Sequence, residues 1–366
     1  MNNNPTVLEI KLSSVEHNLN FFRSKLQSGT KILAVVKAGG YGSDSLEMAR
    51  FLEKHTIDYF AVAYADEGIT LRLGGVKTPI LVLHPQIQNL NSIIKYQLEP
   101  NLYSKKIFLS FLDLTTNLGL EKYPVHLKFN TGLNRLGFKY TDIDFIFQHL
   151  KNQKSILTQS IFSHLVASED VNEKQYTRKQ IEKFKSISDS FKLSLGYKPM
   201  MHMSNTSGIL NYPEAHFDMV RLGLGLYGFT NDRDLNSKLK NVLTLKTVIS
   251  QIHNIEKNES VGYNRGFITN QPMKTATLPI GHADGLFRSL GQGKVFVSIH
   301  GKKAPIIGNI CMDMVMIDVT DIKCEEGDEV IIFQSREDVL ELASQAKTIT
   351  YEILTAFTDR IKRKAI

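Results

Sequence analysis

The chain has 366 residues, 42% hydrophobic and 22% charged, an ordinary globular composition at a length that favours two domains over one small core. Its 44 Lys and Arg against 37 Asp and Glu leave a net charge of +7, but the positive residues are spread out, cluster tightly only at 360–364 and lack the aromatic interleaving of RNA-binding segments, which argues against a nucleic-acid partner. Cys311 and Cys324 offer neither metal-ligand spacing nor a disulfide framework, no apolar stretch is long enough to cross a bilayer, and the N-terminus lacks a basic start and apolar core, so a cytoplasmic protein without metal or membrane association is expected.

Taken in chain order, the first ten residues include Val7-Leu8-Glu9-Ile10, which could pair as an extra strand of a later β domain. From there to residue 237, apolar runs alternate with amphipathic segments. Strands are predicted at 31–36, 59–63, 80–83, 98–102, 125–129, 160–163, 200–203 and 217–221, with helices at 45–55, 103–118, 141–150 and 173–193 among the connections. Phe145, Ile146, His149 and Leu150 recur at three- and four-residue spacing, as one buried helix face requires. Eight strand–helix units over about 200 residues are what a (β/α)₈ barrel needs, a doubly wound open sheet being the competing architecture. After residue 238 the texture changes to short alternating segments at 243–255, 275–279, 294–299, 315–319 and 329–333, separated by Gly, Asn and Asp turns, which reads as an antiparallel β domain. A final helix is expected over 337–362. The predicted fold is α/β: an N-terminal (β/α)₈ barrel over 11–237, then a mostly antiparallel β domain formed by 238–366 with 1–10.

The most informative segment is Lys31-Ile32-Leu33-Ala34-Val35-Val36-Lys37-Ala38-Gly39-Gly40-Tyr41-Gly42. A lysine closing a buried strand lays its stem against apolar surface, where desolvation lowers the amine pKa and frees the neutral amine to condense with an aldehyde. The glycines allow close backbone approach, and Tyr41 adds a hydroxyl. The competing reading is a solvated lysine that merely caps a strand. Other polar residues also fall at predicted strand ends, where a barrel keeps its reactive groups: Arg135 after the fifth, His164 closing the sixth, His202, Asn205 and Thr206 at the seventh, and Arg221, followed by Gly223 and Leu224, at the eighth. Hydroxyls, amides and backbone N–H groups there suit a phosphate.

These residues also carry a resemblance. Val36-Lys37-Ala38 with Tyr41-Gly42 resembles the pyridoxal phosphate lysine motif of the alanine racemases. Thr131-Gly132-Leu133-Asn134-Arg135-Leu136-Gly137-Phe138, Val220-Arg221-Leu222-Gly223, Val261-Gly262-Tyr263 and Gly308-Asn309-Ile310-Cys311-Met312-Asp313 fit the same family in order and spacing, over nearly the whole chain.

The resemblance implies a cytoplasmic racemase that interconverts L- and D-alanine for peptidoglycan precursors. Lys37 would hold pyridoxal 5'-phosphate as a Schiff base and then act as one of two bases. Tyr263, from the β domain of the partner in a homodimer, would act from the opposite face, since inversion needs one group to remove the proton and another to return one. Arg221 would face the pyridine nitrogen and, being unable to give up its proton, leave the ring unprotonated; His202 would orient it. Tyr41, Asn205, Thr206, Gly223, Leu224 and Tyr351 would bind the phosphate and its surroundings, and His164 would line the ring. Arg135 would hold the substrate carboxylate and cofactor phenolate, Met312 would offer its backbone to substrate from the partner, and Lys128 occupies a position carbamylated in some relatives.

Some positions depart from the family pattern. Gly39-Gly40 stand in place of Asn-Ala, Ser43-Asp44 in place of His-Gly, Asn130 in place of an aspartate, and His282 where a tyrosine guards the substrate channel. A racemase for serine or a broader set of small amino acids is therefore the alternative. A non-catalytic pyridoxal phosphate carrier would have no use for Tyr263, and a decarboxylase would not favour Arg221.

Overall fold

The computed structural model describes residues 4–151, 153–230, 235 and 237–366; the first three residues of the N-terminal segment, Asn152, and the stretches at 231–234 and 236 just before the expected domain boundary lie outside them. The chain divides into two compact units, one of Glu16–Gly40 with Ser45–Leu239 and one of Met1–Val15, Tyr41–Asp44 and Lys240–Ile366.

The larger unit is a closed barrel of parallel strands. With β1 (Val7–Ile10) in the other unit, its staves are β2 (Lys31–Val35), β3 (Tyr59–Val62), β4 (Ile80–Val82), β5 (Glu99–Leu102), β6 (Tyr123–Lys128), β7 (Ile156–Phe162), β8 (Met200–His202) and β9 (Met219–Leu222). The barrel closes where β2 pairs with β9, Leu33 lying opposite Arg221. All eight predicted strands are present, the largest difference being that β7 begins earlier, at Ile156. Unbroken apolar runs such as Tyr59–Val62 and Ile80–Val82 are buried throughout, as strands with a filled interior on one side and helices on the other must be. The helix Lys105–Asn117 starts where Ser104 accepts the Ile107 amide and buries Ile107, Phe108, Phe111, Leu112 and Thr115. The helix expected at 141–150 runs Ile143–Leu150, and its fully buried face is Ile143, Ile146 and Leu150. Phe145 and His149 lie only half-buried, their rings tilted 43° to one another with centres 4.3 Å apart.

The second unit holds a nine-stranded, mostly antiparallel sheet. The expected strand 243–255 is two strands, β10 (Leu243–Val248) and β11 (Gln251–Ile255). β12 (Ser260–Val261) and β13 (Phe267–Ile268) form a separate ribbon, and β14 (Met273–Leu278), β15 (Phe296–Ile299), β16 (Lys302–Ile307), β17 (Val315–Asp318) and β18 (Glu329–Phe333) follow. As expected of the N-terminal segment, β1 joins this sheet, antiparallel to β10. The single helix expected over 337–362 is a correction. Arg336–Ala346 ends at Lys347, whose φ of 57° is left-handed, a second helix spans Thr350–Ala356, and Lys362–Ala365 is strand β19, parallel to β1. Local polarity cannot signal that last strand, because its sheet partner lies at the other end of the chain. No helix among the described residues is long and apolar enough to cross a membrane.

Candidate active site

Lys37 follows β2 directly and opens an unusual turn. Ala38, Gly39, Gly40, Tyr41 and Gly42 all have positive φ, between 52° and 80°. Consecutive left-handed residues are costly for side chains with a Cβ, so glycines at 39, 40 and 42 make this turn accessible. Its first amide is tied down by Glu67: Oε1 accepts from Ala38 N at 2.6 Å, while Oε2 accepts from Ala63 N at 2.6 Å and Tyr64 N at 3.2 Å. One carboxylate thus links the lysine turn to the start of the helix Ala65–Leu73. Sequence reading missed Glu67; the glutamate three residues after a helix cap was the available signal.

Burial, and then the nearby Arg135 guanidinium, holds the Lys37 amine below its ordinary value, with Glu67 opposing. Lys128, at the end of β6, is pushed down to about 7 by burial and by Arg221, Arg135 and Lys37. Four cations therefore crowd one end of the barrel. Among the described residues Lys37, Lys128 and Arg135 make no salt bridge or side-chain hydrogen bond; Glu67, the acid acting on Lys37, spends both oxygens on backbone amides.

Arg221, buried on β9, is held on nearly every side. Nη1 donates to Nδ1 of His202 at 2.9 Å, and Nη2 lies 2.8 Å from the carbonyls of Ser163 and Met203 and 2.9 Å from Nδ1 of His164. Its Nε–H makes no hydrogen bond to the described residues. Burial and then Arg221 depress both His164 and His202, which are therefore neutral. His202 also stacks on Phe162, ring centres 4.7 Å apart and planes 7° from parallel.

Arg135 is exposed in the loop 130–137, which Asn130 organises. Asn130 Oδ1 accepts from Gly132 N and Asn134 N, both at 3.0 Å, and Asn130 Nδ2 donates to Asn134 Oδ1 at 2.8 Å. An aspartate could not make that last bond, which explains how Asn130 serves here. Asn205 caps the helix Thr206–Asn211, its Oδ1 accepting from Gly208 N, and also accepts from Ser168 Oγ, each at 2.8 Å. Thr206 Oγ1 accepts from Gly225 N at 3.2 Å, joining the loops after β8 and β9 near Gly223 and Leu224. These side chains thus build the two loops.

The remaining predicted residues lie in the other unit. Tyr41 and Tyr351 face each other with ring centres 6.0 Å apart; burial and then Tyr351 push the Tyr41 phenol up, keeping its proton on. Tyr263 leaves the β12–β13 ribbon 70% exposed, and Met312 is 59% exposed in the same surface groove, which Met314 also lines. The Met312 carbonyl accepts from Ala283 N at 3.0 Å, while its amide makes no hydrogen bond among the described residues. His282, exposed, is fixed beside it by its own amide, which donates to the Cys311 carbonyl at 3.0 Å.

The donor set fits pyridoxal phosphate: a desolvated amine for an aldehyde, uncompensated cations for anionic oxygens, and a spare guanidinium N–H for a ring nitrogen.

Comparison with known proteins agrees. Residues 10–231 match the family description "Alanine racemase, N-terminal domain" and residues 242–365 match "Alanine racemase, C-terminal domain". The alanine racemase of Thermodesulfovibrio yellowstonii is 35% identical over 98% of this chain and 97% of its own, and that of Halothermothrix orenii 36% identical over 98% and 96%. Among solved structures, alanine racemase from Clostridium difficile superposes with a TM-score of 0.93 at 33% identity, covering 99% of this chain and 96% of that one. Alanine racemase from Bartonella henselae with covalently bound pyridoxal phosphate gives 0.88 at 26% identity, covering 99% of each chain.

Fold and site together define a pyridoxal phosphate-dependent amino acid racemase. Within that class, the chain belongs to the alanine racemase family.

Proposed function

We propose that the protein interconverts L- and D-alanine by a two-base mechanism, with Lys37 as one base and Tyr263 of a second copy of the chain as the other. The observation that carries this reading is the desolvated Lys37 amine among cations that have no paired carboxylate among the described residues. Bound pyridoxal phosphate supplies an electron sink for the charge left when the α-proton departs. The chain's own residues do the rest. Lys37 presents a neutral amine that takes or returns a proton on one face. Arg221 offers its Nε–H to the ring nitrogen and cannot surrender that proton, which restrains the sink and curbs side reactions. Arg135 binds carboxylate, and Lys128 would steady Arg135 only once carbamylated, since a bare ammonium repels a guanidinium. The loops bearing Asn205, Thr206, Gly223 and Leu224 hold phosphate.

The barrel, 11–237, binds the cofactor in this reading, and the β domain, 238–366 with 1–10, supplies the second base. Shared sites in a homodimer are supported by Tyr263, Met312 and Met314, exposed together in one groove of that domain: a catalytic phenol left open on its own chain is explained by a partner that it reaches. The free Met312 amide would serve substrate in the same way. The D-alanine would supply peptidoglycan precursors in the cytoplasm.

The test is the absorbance of purified protein before and after borohydride, followed by turnover of alanine, serine and lysine. A visible band bleached by borohydride and a strong preference for alanine are expected; equal rates on all three refute alanine specificity. Racemisation of serine or several small amino acids is the second reading, favoured by the exposed His282 beside Met312.

A further inference from the structure

Arg221 is the visible end of a longer chain of contacts through the barrel wall. His202 Nε2 lies 2.9 Å from Ser160 Oγ, Ser160 Oγ lies 2.6 Å from His126 Nδ1, and His126 Nε2 lies 2.7 Å from Glu99 Oε2. These groups are buried, with Ser160, His126 and His202 at 0% exposure and Glu99 at 9%, so water does not interrupt the sequence. Strand register makes it possible. β6 and β7 slip by one residue after Val125, which lies opposite Thr158, so that His126 lies opposite Ser160 and Gln159 is the extra residue. One residue of slip exchanges the faces of a strand.

Only one arrangement of protons satisfies every member. Arginine donates and never accepts, so His202 Nδ1 must accept from Arg221. Neutral His202 then carries its proton on Nε2 and donates to Ser160 Oγ. Ser160 has its own proton left, and the acceptor within reach is His126 Nδ1. His126 therefore carries its proton on Nε2 and donates to the Glu99 carboxylate. A cation stands at one end, a carboxylate at the other, and all four hydrogen bonds point the same way, the geometry in which neighbouring bonds reinforce one another.

We propose that Glu99, His126 and Ser160 are positioning residues for Arg221, forming a buried relay that fixes the tautomer of His202 and sets a negative charge behind the guanidinium that faces the cofactor ring. This rests on the racemase reading for its consequence, but the relay itself does not. Its surroundings are accounted for: Tyr59, Arg72 and Tyr123 feel the Glu99 charge at one end, and at the other His164, Lys128 and Arg135 interact with Arg221, with Lys37 acting on His164 and Lys128.

The experiment pairs nitrogen NMR of labelled histidine with a pH titration of the visible band of the cofactor-loaded protein, for wild type, Ser160→Ala and Glu99→Gln. In wild type, His126 and His202 should both be neutral with the proton on Nε2; either ring protonated on Nδ1 overturns the relay. Glu99→Gln keeps an acceptor for His126 but removes the charge, and Ser160→Ala cuts the chain at its middle. Glu99→Gln removes the negative charge behind the guanidinium and Ser160→Ala uncouples that charge from it, so in both the midpoint of the spectral titration should move to lower pH by about half a unit, and kcat should fall about tenfold with KM little changed. Folded variants with unchanged spectral midpoints overturn the proposal, since a role in packing alone would alter stability and not that profile. Failure of the racemase reading looks different: the wild-type protein would carry no borohydride-sensitive band, while the imidazole tautomers would remain readable.

Discussion

Lys128 holds its ammonium 5.7 Å from the centre of the Phe162 ring, with no carboxylate among the described residues paired to it. Burial and neighbouring cations lower its pKa from 10.5 to about 7. Between those values the unfolded chain binds more protons than the folded one, so this group makes stability rise with pH through that window and costs stability at and below its lower end. Urea unfolding of cofactor-free protein at pH 7 and pH 9 should find Lys128→Met more stable than wild type at pH 7 and lacking this part of the rise. Identical pH dependence in both proteins would mean that the lysine is not desolvated.

Lys37→Ala should remove the visible absorbance of the lysine-bound cofactor and leave activity at background. A retained, borohydride-sensitive band would assign the attachment to another lysine.

Tyr263→Phe should keep that absorbance while slowing proton removal from one enantiomer by roughly 10²–10⁴-fold, the range of a lost general base, and the other far less. Deuterium exchange at the α-carbon of each enantiomer reads this directly. Mixing Lys37→Ala with Tyr263→Phe protein should recover partial activity through heterodimers carrying one intact site; no recovery in verified heterodimers would argue against shared sites.

His282→Tyr tests whether the exposed imidazole widens substrate choice. The variant should turn over serine less well relative to alanine than wild type does. An unchanged ratio of kcat/KM values would remove His282 from specificity.

The left-handed turn after Lys37 sets up a comparison of two glycines. A Cβ at Gly39 (φ 62°) meets nothing, so Gly39→Ala should cost only the conformational penalty, about 1 kcal/mol, in denaturant unfolding. A Cβ at Gly42 (φ 80°) collides with the Leu354 carbonyl, and Gly42→Ala should cost several times more. Equal losses would show that backbone conformation dominates at both.

Much of the barrel and several site positions were legible in the residues alone. Ile32 to Val36 and Ile80 to Val82 are apolar without interruption, as a buried parallel strand requires, and Lys37 breaks its run at the point where a reactive group belongs. Glu99 and His126 were readable only as polar residues misplaced in apolar strands. Their partnership across 27 residues depends on how β5, β6 and β7 align.

Composition, periodicity and motif therefore determined the strand–helix alternation and the barrel with its β domain, and singled out Lys37, Arg221 and Tyr263 as candidates, because each of these is written in neighbouring residues. Tertiary structure alone decided the depressed amine of Lys128, the part that Arg135 plays beside Lys37, the tie from Glu67 to Ala38, and the proton order from Arg221 to Glu99. Those depend on burial and on distances between residues far apart in the chain, which exist only once strand register has closed the barrel.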